Sequence, residues 1–367
     1  MRATALLAAW AVAGAISPGL APVAALQSAQ VRPVPPVPPR PPTAERRGLD
    51  GVQWTRSGDG SSLRIAARGR VEFTDDERDV SDIIGNGYLE ISEQGRSWFF
   101  RPDGRRYIVR RVGNGELSRR FIVNGGDQPM DEAARTWIGD AIQLFVRESG
   151  FNVDRRVARI LAAQGATGVL DEIARIPGDF VQATYYRELA RQAPAEVGTL
   201  ERALRQAGRD IGSDFELART LITLVETVTI DDRLGAAFVE GTAAIGSDFE
   251  HARVLLALLG SQRQTGPVET IVLQSIAGIQ SDFEMQRVLS TLAARRGLAE
   301  NTVVGLLRAT SSIGSDFEKA RVLLRIVASQ PIGPAAKPEL ANAVERIGSD
   351  HERGRVLSEM LRRGVLQ

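Results

Sequence analysis

Between Val52 and Val123 apolar side chains recur at every second position, and beyond Asp131 they recur at every third and fourth. Period two is the signature of a strand with one buried face, and period 3.6 that of an amphipathic helix. The first region predicts short strands at Leu63–Ala67, Val71–Thr74, Tyr88–Glu93, Trp98–Arg101, Arg105–Val112 and Leu117–Val123. Gln94-Gly95, Pro102-Asp103-Gly104 and Asn114-Gly115 separate the last four, and short loops of that chemistry join neighbouring antiparallel strands. Thr74–Asp79 between the earlier strands reads as a loop or a bulged turn. Asp131 then looks like the N-cap of a helix carrying Ala134, Trp137, Ile138, Ala141, Leu144 and Phe145 on one stripe. A second helix, Asp154–Gln164, should stop at Gly165.

From there the pattern repeats. Ile-x-Ser-Asp-(Phe/His)-Glu, followed by Arg and then Leu, recurs with Ser213, Ser247, Ser281, Ser315 and Ser349 spaced 34 residues apart. A degenerate copy, Ile176-Pro177-Gly178-Asp179-Phe180, precedes them. A fixed period of this length predicts stacked two-helix units. In the first helix of a unit, Leu200, Leu204, Ala207 and Ile211 share a face, and Leu234, Phe238, Gly241 and Ile245 occupy the same columns one period later. The column that starts at Ala207 and Gly241 continues as Ser275, Ala309 and Ala343, small side chains that suit close helix approach. In the second helix, Phe215, Ala218, Leu221, Ile222 and Val225 make the expected buried stripe, and Leu221, Leu255, Leu289, Leu323 and Leu357 should be buried at equivalent levels.

The corner between the two helices reads as a stop followed by a start. Gly212 suits a left-handed terminating residue. Ser213 with Glu216 forms a capping box, repeated as Ser247/Glu250, Ser281/Glu284, Ser315/Glu318 and Ser349/Glu352. Asp214, Asp248, Asp282, Asp316 and Asp350 at the first helical position suit the helix dipole. Arg219, Arg253, Arg287, Arg321 and Arg355 are not required by local structure. They are expected to form a ladder, each reaching the corner of the adjoining repeat. Two other readings stay open: a pair with the Glu of the same helix, and an anion-binding track.

The fold class is therefore α+β: a small antiparallel β-meander over residues 49–127, then an α-solenoid of about six two-helix repeats over residues 128–367, with the 34-residue register from about 166. The unit has the length of a tetratricopeptide repeat without its Trp-x-x-Leu-Gly-x-x-Tyr run or closing Pro, and resembles a shortened HEAT-type helical pair. Over roughly residues 170–367 the Ser-Asp-(aromatic)-Glu repeat also resembles the extracytoplasmic repeats of bacterial penicillin-sensor-type regulators. Their His-Glu-x-x-His zinc motif and transmembrane helices have no counterpart here, so protease activity is not implied by the resemblance.

The N-terminus sets the compartment. Met1-Arg2, an apolar stretch from Ala3 to Ile16, and Val23-Ala24-Ala25 have the layout of a secretory signal peptide cleaved after Ala25. The rival reading, an uncleaved anchor, meets a stretch shorter than the ~20 residues that span a bilayer. Residues 26–48 form a Pro-rich linker with seven prolines in the ten residues from Pro33, an extended spacer or a docking peptide for an aromatic groove. A periplasmic or secreted location follows.

Composition removes most chemistry. With no cysteine there are no disulfides, thiol nucleophiles or thiolate metal sites. The net charge of +1 gives no field for nucleic acid. Of the two histidines, His251 is expected to face solvent and His351 to replace a core Phe, so neither suggests a metal site. Asp75, Asp76, Glu77, Asp79 and Asp82 cluster but lack the spacing of a Ca²⁺ loop. No Gly-x-Ser-x-Gly or phosphate-binding Gly-Lys-Ser/Thr motif occurs. Residues 101–120 carry seven arginines against Asp103 and Glu116. Of these, Arg105, Arg106, Arg110, Arg111, Arg119 and Arg120 are candidate contacts for an anionic polymer, or else guard a sheet edge. The sequence thus reads as an exported, non-catalytic interaction module without cofactor, its partner another envelope protein. The alternative is a sensor of an anionic envelope component through the Arg-rich strands.

Overall fold

The computed structural model describes residues 51–58, 61–95, 104–113, 115–193, 196–261 and 267–365. The expected signal peptide, the expected proline-rich linker and the expected strand Trp98–Arg101 lie outside them.

Among the described residues six strands, β1 (Val52–Gly58), β2 (Ser61–Phe73), β3 (Val80–Gln94), β4 (Gly104–Arg111), β5 (Leu117–Val123) and β6 (Gly126–Gln128), form one antiparallel sheet in chain order. Two expected strands, Leu63–Ala67 and Val71–Thr74, are one strand. Between Arg68 and Arg70 the register against β3 slips: Gly69 (φ +73°) alone stands opposite Gly85, Asn86 and Gly87, so the extra residues belong to β3. That is a bulge, which bends a strand without ending it. β3 accordingly reaches back to Val80 to pair with the far half of β2. β1 was not expected; its only apolar signal is the alternation of Val52 and Trp54, both half-buried.

The pleat sends Ile65, Leu89, Ile91, Tyr107 and Val109 to one face, where they are fully buried. Ile138, Ile142 and Phe145 of helix α1 (Glu132–Ser149) cover them. Asp131 caps α1, its Oδ1 accepting the Ala134 N–H at 2.7 Å. The opposite sheet face is polar, with Gln53, Thr55, Arg64, Glu90 and Arg106, and no described element covers it.

Twelve further helices among the described residues form six pairs: α2 (Val153–Ile173) with α3 (Asp179–Gln192), α4 (Val197–Asp210) with α5 (Asp214–Thr227), α6 (Asp232–Ala243) with α7 (Asp248–Gly260), α8 (Val268–Ser275) with α9 (Asp282–Ala293), α10 (Glu300–Ser311) with α11 (Asp316–Ser329), and α12 (Ala336–Glu345) with α13 (Asp350–Arg362). α2 is broken at Gly165 (φ +68°, ψ −174°), where the sequence places a helix stop. Even-numbered helices stack on one another in one layer and odd-numbered helices in a second. The small-residue column permits that approach: a Cβ on Gly241 of α6 would lie 3.0 Å from the Leu204 carbonyl oxygen of α4.

Leu221, Leu255, Leu289 and Leu323 are fully buried, but Leu357 is 36% exposed. The interior leucines are covered by the following repeat, and α13 has no such cover among the described residues.

Candidate interaction surfaces

The repeat corner is built from four side chains with separate tasks. Ser213, Ser247, Ser281, Ser315 and Ser349 are N-caps, and each Oγ accepts the N–H of the Glu three residues later at 3.4 Å. The expected capping box is thus only half made, and the glutamate half is corrected. Glu216, Glu250, Glu284, Glu318 and Glu352 turn their carboxylates to the Arg three residues on instead of back to the Ser N–H. In the last repeat Glu352 gives its N–H to Ser349 Oγ, but its carboxylate accepts from Arg355 at 2.7 Å, while the Ser349 N–H is held elsewhere.

That N–H goes to the Asp of the preceding repeat: Ser281 donates to Asp248 Oδ2 at 2.7 Å, Ser315 to Asp282 at 2.7 Å and Ser349 to Asp316 at 2.8 Å. The other carboxylate oxygen takes the N–H one residue earlier, from Gly246 to Asp214 at 3.0 Å, Gln280 to Asp248 at 3.0 Å and Gly314 to Asp282 at 2.9 Å. With its Oδ1 on the N–H one residue earlier, the Asp has its Oδ2 set on the Ser N–H, which leaves the Glu carboxylate no donor there. Backbone N–H donors at Gly348 and Ser349 hold the Asp316 carboxyl below its ordinary range.

Asp is therefore the inter-repeat ladder, a role beyond the dipole contact expected of it. Asp350 is the exception: its side chain meets Arg353 of its own helix. The expectation for Gly212 is also corrected. The corner glycines have no positive φ, and Gln280 occupies one of their positions. A side chain there competes with the neighbouring carboxylate instead: a Cβ on Gly314 would come within 3.2 Å of Asp282 Oδ2.

None of the five arginines pairs with a carboxylate of the adjoining corner. Arg219, Arg253, Arg287, Arg321 and Arg355 each pair with the Glu of their own helix, at 2.6 Å for Arg287–Glu284 and 3.4 Å for Arg219–Glu216. The glutamates, Glu352 among them, are buried. Burial raises the Glu250, Glu284 and Glu318 carboxyls despite the neighbouring guanidinium. Four of the guanidiniums also lie over the Phe of their own repeat: Arg219 over Phe215 at 5.5 Å, Arg253 over Phe249 at 6.0 Å, Arg287 over Phe283 at 6.0 Å and Arg321 over Phe317 at 5.6 Å. Arg253 bridges repeats by lying 5.9 Å from Phe215 as well. These phenylalanines are half-buried and not part of the core, and Ile222, Leu256 and Leu324 lie half-buried two turns along their helices. The result is a ribbon of aromatic, aliphatic and neutralised guanidinium groups along the odd-numbered helices. At its end His351 replaces the Phe and is exposed, correcting the core position expected for it.

The six candidate anion contacts of the sheet divide between its faces. Arg106 donates to Glu90 at 2.9 Å, Arg120 makes two bonds to Asp127 at 3.1 and 2.8 Å, and Arg110 lies 5.7 Å over Tyr88; these are on the open face. Arg105 sits 4.0 Å from Glu93 and over Trp137 of α1, Arg111 pairs with Asp82 at 3.0 Å, and Arg119 pairs with Asp79 at 3.4 Å, on the other. Gln53, Thr55, Arg64, Tyr88, Glu90 and Arg106 line a shallow groove of about 590 Å³ on the open face.

The acidic turn is spent on structure. Glu77, at φ +56°, is buried and paired with Arg156 and Arg159 of α2. Among the described residues no cluster of His, Asp and Glu is placed to hold a metal ion. His251 is buried, contrary to expectation. Its Nε2 lies 2.8 Å from Ser275 Oγ, which lies 2.7 Å from Thr242 Oγ1, and its Nδ1 has no partner. The column at 34-residue spacing could have revealed this, because Leu217 and Met285 stand in the equivalent positions and are core residues. Burial lowers the imidazole pKa, with the Asp248 carboxylate opposing. Among the described residues the His–Ser contact is buried and no group bonds the ring's Nδ1.

Compared with known proteins, the chain matches no family model, no curated protein and no solved structure.

Proposed function

We propose that this chain is an exported, non-catalytic interaction module of the bacterial envelope, and that the ribbon on the odd-numbered helices is its partner-binding face. One observation carries the reading: a half-buried Phe beneath a guanidinium whose charge is met by a buried Glu, repeated in four successive units. Aromatic rings and Arg are the groups that dominate protein–protein hot spots. Because each charge is compensated, the ribbon offers contact area more than field, which suits a protein and not a polyanion. The leader-like N-terminus supports a periplasmic or secreted location. The likeness of the repeat to the extracytoplasmic parts of penicillin-sensor-type regulators supports a scaffolding role in the same compartment.

A second reading rests on the open sheet face. Its polar groove beside Tyr88, with Arg64, Arg106 and Arg110 around it, suits an anionic envelope polymer. A photo-crosslinking side chain placed at Leu256 or at Arg106 in the producing cell separates the two. Discrete protein adducts from Leu256 support the ribbon. Adducts from Arg106 alone move the binding site to the sheet, and none from either position contradicts both.

A further inference from the structure

We propose that the pocket between the sheet and the first two turns of α1 binds a small monocarboxylate with an apolar body, a site independent of the ribbon and of the open sheet face. The pocket encloses about 460 Å³, within the range that small ligands occupy. Arg78 and Arg119 line it from the sheet side, and Met130, Arg135 and Ile138 from the helix side. Ile138 belongs to the core between sheet and helix and Met130 packs against that core, so the floor is apolar. A Cβ on Gly139 would lie 3.1 and 3.3 Å from Cβ and Cγ of Arg78. Glycine at that position lets the Arg78 stem lie along α1, where its methylenes extend the apolar wall.

The charges select the ligand. Three guanidiniums and the carboxylates of Asp79 and Glu132 line the pocket, and three of these groups are already met. Arg78 pairs with Asp140 at 2.8 Å. Arg119 donates to the Val80 carbonyl at 2.7 Å and pairs with Asp79 at 3.4 Å. Asp79 in turn accepts the hydroxyl of the buried Tyr107 at 3.1 Å and the Val80 N–H at 2.7 Å. Among the described residues Arg135 has no carboxylate partner, although Glu132 stands three residues before it on α1. The same spacing pairs Glu284 with Arg287 at 2.6 Å. An unspent guanidinium above an apolar floor is complementary to a carboxylate whose tail is buried. Glu132, likewise unpaired among the described residues, opposes a second negative charge, so a monoanion fits and a polyanion does not. A cationic ligand at Glu132 would meet three guanidiniums.

Octanoate, octanol and octylamine carry one apolar tail with a negative, a neutral and a positive head. Titration of each into the full chain, read by NMR of the Met130 methyl group, tests the site. Octanoate is expected to shift the Met130 signal saturably and to bind at least about tenfold more tightly than octanol or octylamine. Arg135→Gln should weaken octanoate binding by at least about fivefold and leave octanol unchanged. Thr136→Trp, which fills the pocket from its exposed rim, should block both. Arg135 and Thr136 are exposed, so both variants should keep the melting profile of the unchanged chain. No response of Met130 to octanoate, octanol or octylamine binding as tightly, or an Arg135→Gln chain that binds octanoate like the unchanged one, overturns the assignment.

Discussion

Arg156 donates to Glu172 at 2.8 Å within α2, and the other arm of its guanidinium reaches Glu77 in the β2–β3 turn, all three side chains more than nine-tenths buried. Arg147 of α1 closes the group by donating to Glu172 at 2.6 Å. One cluster therefore ties the sheet, its covering helix and the first repeat together.

Removing one member of such a buried cluster leaves uncompensated charge. Arg156→Met is predicted to destabilise the protein by about 3–5 kcal/mol, read as a lowered unfolding midpoint in urea. A change below about 1 kcal/mol would show that the cluster is not a lock.

At the corners, Asp282→Ala removes the acceptor of two backbone N–H groups and is predicted to cost about 1–3 kcal/mol. Arg287→Ala loses a half-exposed guanidinium and its ring contact, and Glu284, whose carboxyl burial already raises, can take up a proton in its place, so the cost should be about 1 kcal/mol. Parallel thermal melts of the two variants check the order. A larger loss for Arg287→Ala would return the ladder to the arginines.

Position within the stack sets the cost of the same substitution. Leu323→Ala empties a fully buried site and should cost about 2–5 kcal/mol. Leu357→Ala, at a partly exposed site, should cost less than half as much by the same measurement. Equal losses would mean that α13 is covered within the chain itself.

His251 gives the fold an acid-side weakness. Its folded pKa lies below the ordinary 6.5, so the unfolded chain binds the proton first. Stability is complete above pH 6.5 and falls as the pH drops towards the lowered folded value, by up to ~1.4 kcal/mol per unit. Urea unfolding of the unchanged chain and of His251→Leu at pH 7.5 and about 5.5 isolates the imidazole, because the raised Glu250, Glu284 and Glu318 carboxyls are common to both, and the unchanged chain should lose more stability between the two pH values. An equal pH response of the two chains contradicts the assignment.

Much of the architecture was legible because it is local. Helix register, the Ser caps, the Asp131 cap and the break at Gly165 depend on residues within one or two turns. What stayed hidden depends on contacts between repeats or strands. The Asp–corner bonds join residues 32 and 33 apart in sequence, so each Asp read alone looked like a dipole residue. The same bonds take the Ser N–H that Glu352 and its counterparts would have accepted in a closed capping box. The bulge of β3 opposite Gly69 looked like a gap between two strands because a bulge and a break have similar chemistry. His251 looked solvent-facing beside a capping Glu, although the columns of neighbouring repeats marked a core site. The Arg–Glu pairing was legible as spacing, but the choice between a partner on the same helix and one on the next repeat needed coordinates.

On the proposed reading the ribbon, not the sheet, engages the partner, and the partner is a protein. Immobilised protein exposed to envelope extract at low and high salt, compared with Phe249→Ala and with Arg106→Ala, decides between ribbon and sheet once thermal melts have shown both variants folded. The prediction is a small set of captured proteins that resists salt, is lost with Phe249→Ala and is kept with Arg106→Ala. Capture of an anionic polymer that salt releases and Arg106→Ala abolishes, with Phe249→Ala without effect, would contradict it.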